Sequence, residues 1–158
     1  MERAKHTLNE LLVGLFNYIL YIEEKNLKES GVNLTMNEVH TLESIQKTRD
    51  NSMTYVARRC MVAQSTLTSN VAKLERKGFV KRYKDRIDKR ITRVSITEKA
   101  HEILKVHEEF HEKMINKVVS DLGLDENNLL IDSLENILEY FRKEYHDKAI
   151  IVESPEKV

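Results

Sequence analysis

Residues 52–96 read SMTYVARRCMVAQSTLTSNVAKLERKGFVKRYKDRIDKRITRVSI. Val56, Ala57 and Cys60 form the inner face of a short helix over residues 53–60. Leu67, Val71 and Leu74, at i, i+4, i+7, predict a second helix over 64–77 with one narrow apolar stripe. Gly78 stops it. The β-branched and aromatic runs FVKRY (79–83) and ITRVSI (91–96) flank a polar tip, KDRIDKR, which predicts a two-stranded hairpin. Two short helices followed by a basic hairpin make a winged helix–turn–helix, a layout that places its second helix in the DNA major groove.

Outward from this stretch the chain is helical. Residues 7–29 carry Leu8, Leu11, Leu12, Leu15, Phe16, Ile19, Leu20, Ile22 and Leu27, an apolar face wide enough to be buried on two sides. Ser30-Gly31 ends that helix. Thr35 and Glu38 match a capping box, and Val39, Leu42 and Ile45 then point inward along a helix to about Lys47. Arg49–Ser52 is a polar turn. After the hairpin, Thr97 is expected to cap a long helix reaching Leu122–Gly123, with a stripe of Ile103, His107, Phe110, Met114 and Val118. Asp125 is expected to cap a last helix carrying Leu130, Leu134, Ile137 and Phe141.

The expected fold is therefore mainly α with a small β-hairpin wing. A winged-helix part at about 34–97 lies between terminal helices at about 7–30 and 98–146, all within a single domain of residues 1–148, and residues 149–158 form a short tail. The terminal stripes exceed what one short chain can cover. A homodimer built from them supplies the two-fold symmetry that a pseudo-palindromic site requires, with half-sites about 10 bp apart.

Composition agrees with such a protein. Of 158 residues, 41% are hydrophobic and 33% charged, and four Gly and one Pro favour long helices. No apolar run is long enough to span a membrane, and no signal peptide is legible, so the expected location is cytoplasmic. One cysteine, Cys60, excludes an internal disulfide framework. The net charge is zero, but the charge is unevenly placed. Residues 73–93 hold ten Lys/Arg against three acids, and residues 98–148 hold thirteen acids against seven bases. A basic face and an acidic region coexist in a neutral chain. With no Gly-rich phosphate loop, G-x-S-x-G, H-E-x-x-H or paired-Cys motif, no enzyme is expected.

LERKG (74–78), the wing pattern D-x-x-D-x-R (85–90) and TEK (97–99) resemble the MarR family of winged-helix transcriptional regulators over roughly residues 8–146. Many members carry Gly where this chain has Ala100. Within the family the chain is most similar to the FabT branch, repressors of fatty-acid synthesis genes, through LFNYILYIEEKNLK (15–28), NEVHTLESI (37–45), residues 60–82 and VHEEFHEKM (106–114).

The residues expected at double-stranded DNA follow from this layout. Gln64, Ser65, Thr68 and Ser69 form the N-terminal polar face of the second helix, with Lys73 and Arg76 further along. Gln can bridge adenine N6 and N7, and Ser or Thr can bond a base edge or a phosphate. Four small polar residues in six positions are a poor choice for a helix that only needs solubility. The resemblance implies that Arg90 reaches the minor groove, with Asp88 orienting it through a salt bridge. Arg86 and Lys89 are expected on phosphate.

Three features compete as the sensor. Phe16, Ile19, Leu20, Leu42, Ile45, Phe110 and Met114 are apolar at helical spacing, which by itself describes a core. Resemblance to the FabT branch implies that an acyl chain on acyl carrier protein enters there as corepressor. His107 and His111, one turn apart, with His40, offer imidazoles for zinc, as in zinc-responsive regulators of metal uptake in the same family. The third is Cys60, whose place on an inner helix face argues against redox sensing.

Overall fold

The computed structural model describes residues 1–145, so the expected tail at 149–158 and the last residue of the C-terminal helical part lie outside the described residues. Two compact units divide at His40/Thr41.

In the first unit the helix begins earlier than expected. α1 spans Glu2–Asn9, a π-helical segment spans Glu10–Leu15, and α2 spans Phe16–Glu29. The early start has a local cause: Lys5 pairs with Glu2, and the acid sits in the positive first turn. Most of its apolar face is uncovered in the single chain. Leu8, Leu11, Leu12, Leu15, Phe16 and Ile22 are all exposed, whereas Leu27 is buried. α3, Met36–Gln46, starts with the expected reciprocal cap. The Thr35 amide donates to Glu38 Oε2 at 2.9 Å and the Glu38 amide donates to Thr35 Oγ1 at 3.2 Å.

The second unit contains the winged helix. Ser52 caps α4, Met53–Arg59, its Oγ accepting from the Tyr55 amide at 3.3 Å. α5 is Gln64–Arg76, and its Leu67, Val71 and Leu74 are completely buried with Val56 of α4. Between the two helices Met61 sits at φ 54, a left-handed conformation that disfavours a side chain with a Cβ. Gly78 takes φ 79, which turns the chain from α5 into the wing and lets the Phe79 amide reach the Leu74 carbonyl at 2.9 Å.

The wing consists of β1, Val80–Lys84, antiparallel to β2, Thr92–Ile96, in the register Val80↔Ile96 through Lys84↔Thr92. Val80 and Val94 face the core and are buried. β2 also bridges to the residues before α4: Ser52 pairs with Arg93, and the Val94 amide donates to the Asn51 carbonyl at 2.9 Å. The wing is thus hydrogen-bonded to the helix–turn–helix along its second strand.

α6 spans Glu98–Leu122 and ends at Gly123 in the left-handed conformation (φ 57), as expected. Two expected caps are corrected. Thr97 takes the N-cap position of α6 as expected, but its hydroxyl donates to the carbonyls of Gly78 (2.8 Å) and Phe79 (3.2 Å) instead of accepting from the helix. Tying the helix start to the α5–β1 turn takes precedence over capping. Asp125 lies in a 3₁₀ turn, Leu124–Glu126, and it is Asn127 that caps α7 (Asn128–Glu144), accepting from the Leu130 amide at 3.2 Å.

The α6 stripe is graded. Ala100, Leu104 and His107 are buried, Ile103, Phe110 and Met114 half-buried, and Val118 exposed. α7 has no buried residue, and Leu130, Leu134, Leu138 and Phe141 are exposed.

Candidate nucleic-acid interface

Gln64, Ser65, Thr68, Ser69, Lys73 and Arg76 are all exposed, on the side of α5 opposite its buried stripe. Ala63 occupies the N-cap and has no side chain able to satisfy the first-turn amides. Those amides and the positive end of the helix are therefore left for an anion such as a phosphate. Thr68 donates its hydroxyl proton to the Gln64 carbonyl at 2.7 Å, which leaves its oxygen as an acceptor. The Gln64 side chain receives a hydrogen bond from Thr54 of α4 at 3.4 Å.

A cavity of about 300 Å³ joins this end of α5 to the root of the wing, lined by Ser52, Met53, Thr54, Gln64, Arg90, Ile91 and Thr92. The structure thus brings Gln64 and Arg90, expected at two different grooves, to the walls of one cleft.

At the wing tip Arg86, Lys89 and Arg90 are exposed, and their side chains have no partner among the described residues. The other wing arginines are committed elsewhere. Arg82 pairs with Glu75 of α5. Arg93 bonds Asp85, Asp50 at 3.0 Å and Asn51 at 3.1 Å, locking the hairpin to the turn before α4.

The expected Asp88–Arg90 salt bridge is replaced by another contact. Asp88 Oδ1 accepts the backbone amide of Arg90 at 2.9 Å, so the carboxylate shapes the turn and leaves the guanidinium unpaired. A two-residue spacing suits that local bond better than a side-chain pair. Asp85 is the more engaged acid. Its Oδ1 accepts the amides of Asp88 and Ile87, and with Arg93 these contacts hold its pKa down at about 2.

Arg93, Ser52 and Thr54 help carry the architecture of this surface and were not singled out from sequence, and Asp85 was read only as the first residue of the wing pattern. Asp85 two residues before an amide it accepts is a legible Asx turn. Arg93 had no such signal, because its partners are eight and more than forty residues away.

The comparisons agree with this geometry. The MarR family model matches residues 34–92. The chain is 31% identical over 131 residues to the HTH-type transcriptional regulator YkoM of Bacillus subtilis, covering 83% of each protein. The chain belongs to the MarR family. It is similar to Streptococcus pneumoniae FabT, solved in complex with DNA, with a TM-score of 0.81, 30% identity, and coverage of 88% of this chain and 98% of that one. Staphylococcus aureus MepR, also solved with DNA, shares the fold at a TM-score of 0.70 and 18% identity, over 84% of this chain and 96% of that one. MarR proteins are DNA-binding transcriptional regulators and not enzymes, and this chain is one of them.

The sensor candidates fall in both units. Phe16 is exposed and Ile19 and Leu20 are half-buried in the first. In the second, Leu42 and Ile45 are core residues, and Phe110 and Met114 are half-buried on α6. His40 lies 3.8 Å from the buried Glu23 in the first unit. His107 is buried on α6, with its ring 4.5 Å from that of His111 in an edge contact. Burial raises the pKa of Cys60, which disfavours the thiolate that redox sensing needs. Among the described residues, no helix is long and apolar enough to cross a membrane.

Proposed function

We propose that the chain is a repressor that binds a pseudo-palindromic operator as a homodimer, and that it regulates fatty-acid synthesis genes with acyl-acyl carrier protein as corepressor. The observation that carries the DNA part is the exposed, uncapped polar start of α5 sharing one cleft with Arg90. Gln64, Ser65, Thr68 and Ser69 then meet base edges, Lys73, Arg76, Arg86 and Lys89 meet phosphate, and Arg90 enters the minor groove. The homodimer is supported by the uncovered apolar faces of α1, α2 and α7. The fatty-acid part is supported by the similarity to FabT. In that reading each CH₂ of the acyl chain buried against apolar side chains would contribute about 0.8 kcal/mol.

The test is a gel shift on the promoter of its own gene, with and without competitor DNA, repeated with long-chain acyl-acyl carrier protein and with the unacylated carrier. Selective binding strengthened only by the acylated form supports both parts. Selective binding indifferent to it leaves the operator reading and removes the corepressor. A second reading, a zinc-responsive regulator, rests on the close His107–His111 pair. Equilibrium dialysis against zinc, with His107→Ala as control, decides it: no stoichiometric uptake removes it.

A further inference from the structure

Ile87 stands at the tip of the wing with 98% of its surface exposed, between Arg86 and the pair Lys89 and Arg90. Scattered exposed hydrophobes are ordinary on a protein surface. This one is unusual in being held in place. The amides of Ile87 and Asp88 both donate to Asp85 Oδ1 at 2.9 Å. The amide of Arg90 donates to Asp88, and the amide of Ile91 donates to the Asp88 carbonyl at 3.0 Å. Asp85 is itself fixed by Arg93, which is tied to Asp50 and Asn51. The two acids of the tip are thus engaged with the backbone and Arg93. Three cations without partners among the described residues and one apolar side chain remain for contact with the surroundings.

A rigid cationic tip with an apolar apex fits one kind of surface: the minor groove of duplex DNA, whose rims are phosphates and whose walls are deoxyribose carbons. Building on the operator-binding reading above, we infer that Ile87 is a minor-groove contact, packing on deoxyribose while Arg86, Lys89 and Arg90 hold the wing by charge. The contact also discriminates. Guanine places its N2 amino group on the minor-groove floor, and an isoleucine can neither accept from it nor share its space. Ile87 therefore favours A·T pairs under the wing tip.

Apolar and ionic contacts differ in salt dependence, since only neutralised phosphates release counterions. Full-length protein is titrated against a duplex of its own promoter over a range of salt, as wild type, Ile87→Ser, Ile87→Leu and Arg90→Ala. Ile87→Ser should weaken binding about tenfold with the slope of log K against log salt unchanged. Ile87→Leu should bind like wild type. Arg90→Ala should weaken binding and flatten the slope by about two, one per wing of a dimer. Replacing guanine by inosine, which lacks the N2 amino group, should tighten wild-type binding and leave Ile87→Ser unaffected. The melting temperature of Ile87→Ser should equal that of wild type, because the side chain packs against nothing in the free protein. Unchanged affinity of Ile87→Ser, or a loss accompanied by a flattened slope, overturns the assignment. If the wild-type protein itself fails to bind selectively, it is the operator reading that fails.

Discussion

The apolar residues of α5 and those of α7 have the same spacing and opposite surroundings. Leu67, Val71 and Leu74 of α5 have no exposed surface, whereas Leu130, Leu134 and Phe141 of α7 are each more than a third exposed. Helical periodicity says that a face is apolar; it does not say which chain covers it. The α5 stripe is covered within its own unit, where Val56 and Val94 are equally inaccessible. In the homodimer proposed above, a second copy would cover the exposed apolar residues of α7 and of the α1–α2 helix, so their burial would depend on assembly whereas that of α5 does not.

The sharpest way to break this comparison is to delete the same side chain from both regions. Leu67→Ala should cost about 3 kcal/mol of unfolding free energy at every protein concentration, through the cavity it leaves. Leu134→Ala should lower stability in a concentration-dependent way, with a midpoint that recovers as protein is added. Urea melts at two concentrations a hundredfold apart distinguish them. If both variants behave alike, the terminal helices are not an interface.

A smaller effect sharpens the boundary between fold and site. Asp85 is held at a pKa of about 2, below its ordinary 3.8. A depressed carboxylate contributes stability above its unfolded pKa and loses it as pH falls through the folded one. Wild type should therefore be more stable than Asp85→Asn above pH 4, and the gap should narrow between about pH 4 and pH 2. A gap independent of pH would mean that the Arg93 lock acts through packing and not through charge.

The smallest effect concerns the turn between α4 and α5. Met61→Gly relieves a left-handed residue and should stabilise the protein by about 1 kcal/mol, with DNA affinity unchanged. A loss of affinity would show that the methionine, 69% exposed, itself touches DNA.

Much of this architecture was legible in the sequence, for identifiable reasons. The capping box at Thr35–Glu38 is a local signal, three residues apart, and forms as expected. The α5 stripe, Gly78, the hairpin and Gly123 likewise depend on neighbours in sequence. Thr97 misled because its hydroxyl is used by carbonyls eighteen and nineteen residues earlier. The Asp125 cap was misplaced by two residues because a 3₁₀ turn intervenes, leaving Asn127 as the first residue whose side chain reaches a free helix amide. Among the candidate DNA residues, the exposed face of α5 followed from periodicity. The division of wing cations into engaged Arg82 and Arg93 and unengaged Arg86, Lys89 and Arg90 did not. That division depends on long-range pairing with Glu75, Asp50 and Asn51, which no spacing rule reveals.

The π-helical segment Glu10–Leu15 has its own consequence. An i→i+5 turn takes in one residue more than an α turn, so side chains after it are set back by about 100° relative to an uninterrupted α-helix. Leu8 before the segment and Ile19 and Ile22 after it, which a simple count places on one broad face, are therefore out of phase. One helical rod then points its apolar residues in two directions. Deleting a single residue there would bring them back into phase, a change of geometry made without substituting Leu8, Ile19 or Ile22.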